Sequence, residues 1–191
     1  TGNVSGSGSI TQTAGGTGAK SVSFYGDNSG FTGSFVQNND GNNRTAFNAA
    51  ASGSASAAWT FNRNVNGGVA LGFAGATIHF GALSGGGYIR ANITGTANVS
   101  VGALGTNTTF SGKFQQANAG SLMSVTKVGA GTLTLSGSND HAGATTVNDG
   151  TLNITGAVQG SDITVNNTGS LQLAAAKTIK SLAITGAGSA V

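Results

Sequence analysis

The sequence has no cysteine, no proline and no glutamate. Without cysteine it can build neither a disulfide framework nor a thiolate metal site. Charge is scarce, at 7% of residues against roughly 25% in an ordinary globular domain. Disorder usually combines high net charge with few apolar residues. Here the net charge is only +3 and apolar residues make up 38%, so a folded chain is expected. The basic residues Lys20, Arg44, Arg63, Arg90, Lys113, Lys127, Lys177 and Lys180 are scattered along the chain. A nucleic-acid footprint needs a patch that meets several phosphates, so no nucleic-acid partner is expected. No stretch approaches the ~18 consecutive apolar residues of a membrane span, and membrane insertion by this segment is not expected. No signal peptide opens the chain, which begins at Thr1 in repeat-like sequence, so any leader is expected upstream or removed.

What is present in quantity is glycine, 34 of 191 residues, together with alanine, serine, threonine and asparagine. Such small residues suit tight turns between closely stacked strands. The clearest pattern is an internal repeat. Gly131-Thr132-Leu133-Thr134-Leu135 returns as Gly150-Thr151-Leu152-Asn153-Ile154 and as Gly169-Ser170-Leu171-Gln172-Leu173, at steps of 150 − 131 = 19 and 169 − 150 = 19. One further step reaches Gly188-Ser189-Ala190-Val191. A second track precedes each copy: Thr145-Thr146-Val147, Ile163-Thr164-Val165 and Leu182-Ala183-Ile184. Apolar residues at i, i+2 are the period of half-buried strands, and glycine at each corner disfavours helix. The leucines and Ile154 point inward and Thr134, Asn153 and Gln172 outward. Identical strands at a fixed step wind round an axis, each coil covering its neighbour's apolar edge.

Upstream the pattern loosens. Gly26 to Phe35 and Gly105 to Phe114 share G-x-N-x-x-F-[TS]-G-x-F, with a shorter version at Gly137 to Gly143. Phe80-Gly81-Ala82-Leu83 and Val101-Gly102-Ala103-Leu104 lie 101 − 80 = 21 apart. The expected fold is all-β, a right-handed parallel β-helix (β-solenoid) with about 19–21 residues per coil, a period typical of stacked repeats. One domain is expected over 1–191. Coils over 1–121 are longer and irregular, those over 122–191 regular. Val191 falls in mid-coil, so continuation of a parent chain or head-to-tail stacking is expected there, with no capping helix after residue 175.

The run Lys127-Val128-Gly129-Ala130-Gly131-Thr132-Leu133-Thr134-Leu135-Ser136-Gly137 continues through Asn139, Gly143, Thr145-Thr146-Val147 and Gly150-Thr151-Leu152. Over about residues 122–156 it resembles the autotransporter-associated β-strand repeat. His141 stands where that repeat usually has tyrosine. Residues 9–36 look like a degenerate copy with Phe31 at that place. The resemblance implies a right-handed β-helix exported across the Gram-negative envelope and displayed outside the cell, with no defined catalytic site. It also implies that the C-terminal repeat region assists passenger folding during translocation.

Candidate chemistry is thin. A polysaccharide-cleaving β-helix needs clustered carboxylates, and the only ones are Asp27, Asp40, Asp140, Asp149 and Asp162. Asp140 is expected to cap a turn and His141 to pack inside. Gly85-Gly86-Gly87 lacks the aspartate of a calcium β-roll, and Gly15 to Lys20 does not complete a phosphate loop. His79 is expected outward, too far in sequence from His141 to suggest a metal pair. Thr-x-Thr at 11–13, 106–108 and 132–134 does not recur in every coil, so no ice-binding ladder is expected. Trp59 and the nine phenylalanines, from Phe24 to Phe114, are expected mainly in the core. The expected product is a structural or adhesive surface protein, not an enzyme, with no catalytic, cofactor or metal residues. A carbohydrate-binding module using an exposed Phe/Asn strip is the alternative, followed by a polysaccharide-degrading enzyme. Expected partners are copies or continuations at the open ends and a host-surface or glycan ligand.

Overall fold

The computed structural model describes residues 2–13, 20–39, 42–65, 68–166, 168–174, 177–186 and 189–190. Among them nineteen short strands and one 3-10 turn, Ala50–Ser52, make up the regular structure. Every strand pairing is parallel, and the strands stack as a β-solenoid in sheets of nine, five and five strands. The nine-stranded sheet runs the length of the molecule from Ser9–Gln12 to Ser181–Ile184. One five-stranded sheet runs from Ser21–Phe24 to Lys113–Gln116. The other begins at Thr108–Phe110 and ends at Ser189–Ala190.

The 19-residue step holds in the second half: Thr132 pairs with Thr151, Thr151 with Ser170, and Ser170 with Ser189. The 21-residue step also holds, with Phe80 opposite Val101. Most upstream coils are longer than that expectation. Ser9 pairs with Ser34 (34 − 9 = 25), Ser34 with Ala58 (58 − 34 = 24), and Val101 with Lys127 (127 − 101 = 26). The extra residues form a third strand per coil, the five-stranded sheet from Ser21–Phe24 to Lys113–Gln116. Downstream that face is reduced to an arc whose one ladder contact among the described residues is Asn139 opposite Val158.

Two eight-residue strands, Ser54–Phe61 and Thr77–Ser84, turn a corner within the long sheet, where the register slips between Ser54 and Ala58. The C-terminal half of Thr77–Ser84 stacks on Ala58, Trp59 and Thr60, while its N-terminal half stacks on Asn98 to Val101. The core changes character along the axis. Upstream, Trp59 lies 5.3–6.3 Å from the rings of Phe24, Phe31, Phe35, Phe47, Phe61 and Phe80. Downstream, Leu133, Leu135, Leu152, Ile154, Val147, Val165 and Leu171 are buried. Each such side chain contributes about 1.5–3 kcal/mol by leaving water. The alternation is as expected, with Thr134, Asn153 and Gln172 on the outer side of their strands.

The shared F-[TS]-G-x-F phrase makes the same corner twice. A Cβ on Gly33 would lie 1.8 Å from the Gly8 carbonyl oxygen, and one on Gly112 would lie 1.8 Å from that of Gly87. In both, the phenylalanine two residues earlier closes the other side, at 2.9 and 2.7 Å. No side chain fits, so glycine is needed for the backbones of successive coils to approach.

Candidate functional site

The regular repeat begins where strand Ser121–Lys127 leaves the long sheet. Alternation sends Met123, Val125 and Lys127 inward. Lys127 is only 1% exposed, and its Nζ donates to the carbonyls of Val128 (2.8 Å), Gly129 (2.6 Å) and Asp149 (3.2 Å). All three ammonium protons are thus used. Burial holds its pKa below the usual lysine value, and the nearby Asp149 carboxylate acts against that shift. The Asp149 carboxylate itself accepts from the Gly150 amide (2.9 Å) and the Thr168 hydroxyl (2.8 Å), and these bonds hold its pKa below the ordinary value. Reading Lys127 as one of several scattered charges missed this burial. The cues were its inward place in the strand alternation and its place at the head of the repeat phrase.

A second buried polar group follows on the arc. His141 takes the inward tyrosine place as expected, with no exposed surface and its ring edge-on to Phe114 at 5.9 Å. Its Nε2 shares a hydrogen bond with Thr145 Oγ1 (2.9 Å), which shares one with Ser161 Oγ (2.7 Å), which donates to the Gly143 carbonyl (2.8 Å). His141 Nδ1 is buried without a partner, and desolvation lowers the ring's pKa to about 4. Imidazole beside two hydroxyls has the composition of a base–nucleophile pair. All three residues are 0–1% exposed, so as placed they meet no substrate and instead tie adjacent coils together. Asn139 completes the arc, accepting from the Phe114 amide (2.9 Å) and donating to the Gly137 carbonyl (3.2 Å). Asn28 plays the same inward part upstream, bonded to Val4 and Ser52. Asn107, the third asparagine of the shared phrase, is exposed and accepts from the Thr132 amide.

Of the carboxylates considered for chemistry, Asp27, Asp149 and Asp162 are tied up locally. Asp27 accepts from the Ser29 amide, and Asp162 accepts from Lys180 (2.6 Å) and Ser181 (2.5 Å). Asp140 is exposed, and Asp40 lies outside the described residues, as does the Gly15 to Ala19 part of the phosphate-loop candidate. Among the described residues no three of His, Asp, Glu or Cys come together. His79 is exposed, as expected, and lines a shallow groove of about 430 Å³ with Ser29, Gly53, Ser56 and Thr77. Another groove, about 330 Å³, is lined by Asn107, Thr108, Thr109, Thr132 and Thr134. Among the described residues neither groove has a carboxylate in its wall.

The exposed phenylalanine strip expected of a carbohydrate module is not there. Phe24, Phe31, Phe35, Phe47, Phe61, Phe80, Phe110 and Phe114 are at most 5% exposed, and Phe73 is half-buried. The wide upstream coils need their bulk as filler. A threonine ladder that the sequence reading did not find lies on the long sheet's outer face, where Thr126, Thr146 and Thr164 are stacked partners. Its steps, 20 and then 18, hide it from a search at 19. Beside it the Asn166 amide donates to Asn148 Oδ1 (3.1 Å) and the Thr185 hydroxyl to Asn166 Oδ1, so these side chains staple coils to one another.

These features define the class: a parallel β-solenoid whose buried polar groups serve the stack. Residues 125–154, the stretch that holds Lys127, Asn139, His141 and Asp149, match the family model described as passenger-associated-transport-repeat. This is consistent with an autotransporter passenger repeat, and the repeat and fold together fit a passenger-like segment. That family implies an exported cell-surface protein and suggests a structural role. No curated protein and no solved structure matches the chain. No helix among the described residues is long and apolar enough to cross a membrane.

Proposed function

We propose that this chain is a rigid, adhesive shaft of a secreted protein displayed outside the Gram-negative outer membrane. The observation that carries the reading is the continuity of the repeat with the stack. Strand Ser121–Lys127 pairs back onto Gly95–Val101, and Thr151–Ile154 pairs forward onto Ser170–Leu173. The repeat is therefore part of one shaft. Contact with a host surface or glycan would use outward hydroxyls and amides such as Thr134, Asn153 and Gln172 in place of aromatic stacking. Ser181–Ile184 is exposed along its length, with Leu182 at 39% and Ile184 at 49%. Such an edge favours a further coil of the parent chain or a second copy, giving head-to-tail fibres.

The test is antibody labelling and external protease on intact cells making the whole parent protein. The expected result is labelling without permeabilisation, removed by protease. Labelling only after the envelope is opened would refute display. Electron microscopy of the purified chain tests assembly: filaments support end-to-end stacking, and isolated rods count against it.

A further inference from the structure

One inward column of the long sheet runs Phe80, Val101, Lys127, Val147 and Val165, each at most 1% exposed. It holds a single charge among apolar residues. Swapping a whole buried ion pair for apolar residues is often neutral or stabilising, whereas a buried ammonium left without its acceptors is costly, so burial alone does not account for the lysine. Register does. Val125-Thr126-Lys127 pairs with Thr145-Thr146-Val147. A slip of one residue would turn the buried set outward and is strongly disfavoured. A slip of two keeps inward residues inward, so the burial pattern resists it far less. The need for a marker is greatest here, because coil length changes at this strand. The step into Lys127 from Val101 is 127 − 101 = 26 and the step out to Val147 is 147 − 127 = 20, a shortening of 26 − 20 = 6.

We propose that Lys127 is a register lock for coil addition. Its ammonium sits on the Val128 and Gly129 carbonyls of its own coil and is completed by the Asp149 carbonyl of the next. A two-residue slip moves that carbonyl by about 6.6 Å and leaves a buried ammonium proton without an acceptor. The corner beneath is equally exacting: a Cβ on Gly129 would lie 2.2 Å from the Gly102 carbonyl, and one on Gly150 would lie 2.4 Å from that of Gly129. The correct next coil is the one that both fits the glycine corner and saturates the lysine.

The test is Lys127→Val, which makes the column uniformly apolar, read by hydrogen–deuterium exchange mass spectrometry on the refolded full chain. Peptides within 132–154 are expected to give one isotope envelope in the parent chain and two in Lys127→Val. A disulfide from Thr126→Cys and Thr146→Cys, placed on paired positions, pins the register covalently and is expected to restore a single envelope. If Lys127→Val fails to fold, recovery of folding by the oxidised disulfide supports the lock. One envelope in Lys127→Val, or a disulfide that restores neither folding nor a single envelope, would overturn it.

Discussion

The upstream and downstream halves of the solenoid solve the same packing problem with different materials. The longer upstream coils enclose a wide section and fill it with Trp59 and six phenylalanines around it. The shorter downstream coils enclose a narrow one, which leucine, valine and isoleucine fill. Each half also buries polar side chains that join coils. Upstream, Gln37 Nε2 donates to Thr45 Oγ1 (2.8 Å) and to the Gly68 carbonyl (2.9 Å), while Thr45 Oγ1 donates to Gln12 Oε1 (2.7 Å). Downstream, Lys127 and the His141–Thr145–Ser161 chain do so. The difference is that upstream packing is concentrated in one aromatic knot, while downstream packing is spread evenly along a column. In a stack where each coil contacts only its neighbours, this predicts unequal sensitivity to truncation.

The largest effect is therefore expected at Trp59. Trp59→Ala removes the ring shared by six others and leaves the Ser54 carbonyl without its indole donor. Large-to-small core changes of this kind cost about 3–5 kcal/mol. Leu152→Ala, in the even column, belongs to a class costing about 2–5 kcal/mol and is expected to lie below Trp59→Ala, because its coil neighbours Leu133 and Leu171 are equivalent and close by. Denaturant unfolding of both variants measures the contrast. A Leu152→Ala loss equal to or greater than the Trp59→Ala loss would break it.

This division was only half legible beforehand. Leu133, Leu152 and Leu171 announce themselves because the step is constant and the strands alternate. The third strand of the wide coils did not. Ser21–Phe24, Arg44–Phe47 and Val69–Leu71 are three or four residues long, and their steps vary from 20 to 24. The polar interior was the least readable part. Gln12, Gln37 and Lys127 occupy inward places that polarity alone assigns to the surface, and each reaches an acceptor in a neighbouring coil, the Arg44, Gly68 and Asp149 carbonyls, that lies 22 to 32 residues further along the chain. His141 was placed correctly because its position in the repeat is normally aromatic, yet its partners Thr145 and Ser161 carried no signal of their own.

His141 sharpens the contrast through pH. Its folded pKa of about 4 lies below the ordinary 6.5, so the folded state favours the neutral ring. Its contribution is complete above pH 6.5 and is lost as pH falls toward 4, while the unfolded chain takes up the proton first. At about 1.4 kcal/mol per pKa unit, the loss across that window is about 3 kcal/mol. The carboxylates with lowered pKa values, Asp27, Asp149 and Asp162, weaken the fold only below the ordinary 3.8, outside this window. Stability of the parent chain should decline between pH 6.5 and 4, and His141→Phe should flatten that decline. An unchanged slope in His141→Phe would assign the pH dependence elsewhere.

The smallest effect is expected where the downstream coils are joined from outside. Asp162 accepts from Lys180 and Ser181 one coil further on, but both members of the ion pair are about half exposed, 46% for the aspartate and 59% for the lysine. Water solvates both charges in the unfolded chain nearly as well, and salt screens what attraction remains. Asp162→Asn keeps the shape and the hydrogen-bonding oxygen while deleting the charge. Its unfolding midpoint is expected to match the parent at physiological salt and to differ only slightly at low salt. The comparison that matters is with the inner bonds: a group 0–1% exposed, such as Thr145, has no water to replace a lost partner. An Asp162→Asn loss that rivalled the inner changes and persisted at high salt would mean that the narrow coils are held from outside rather than from within.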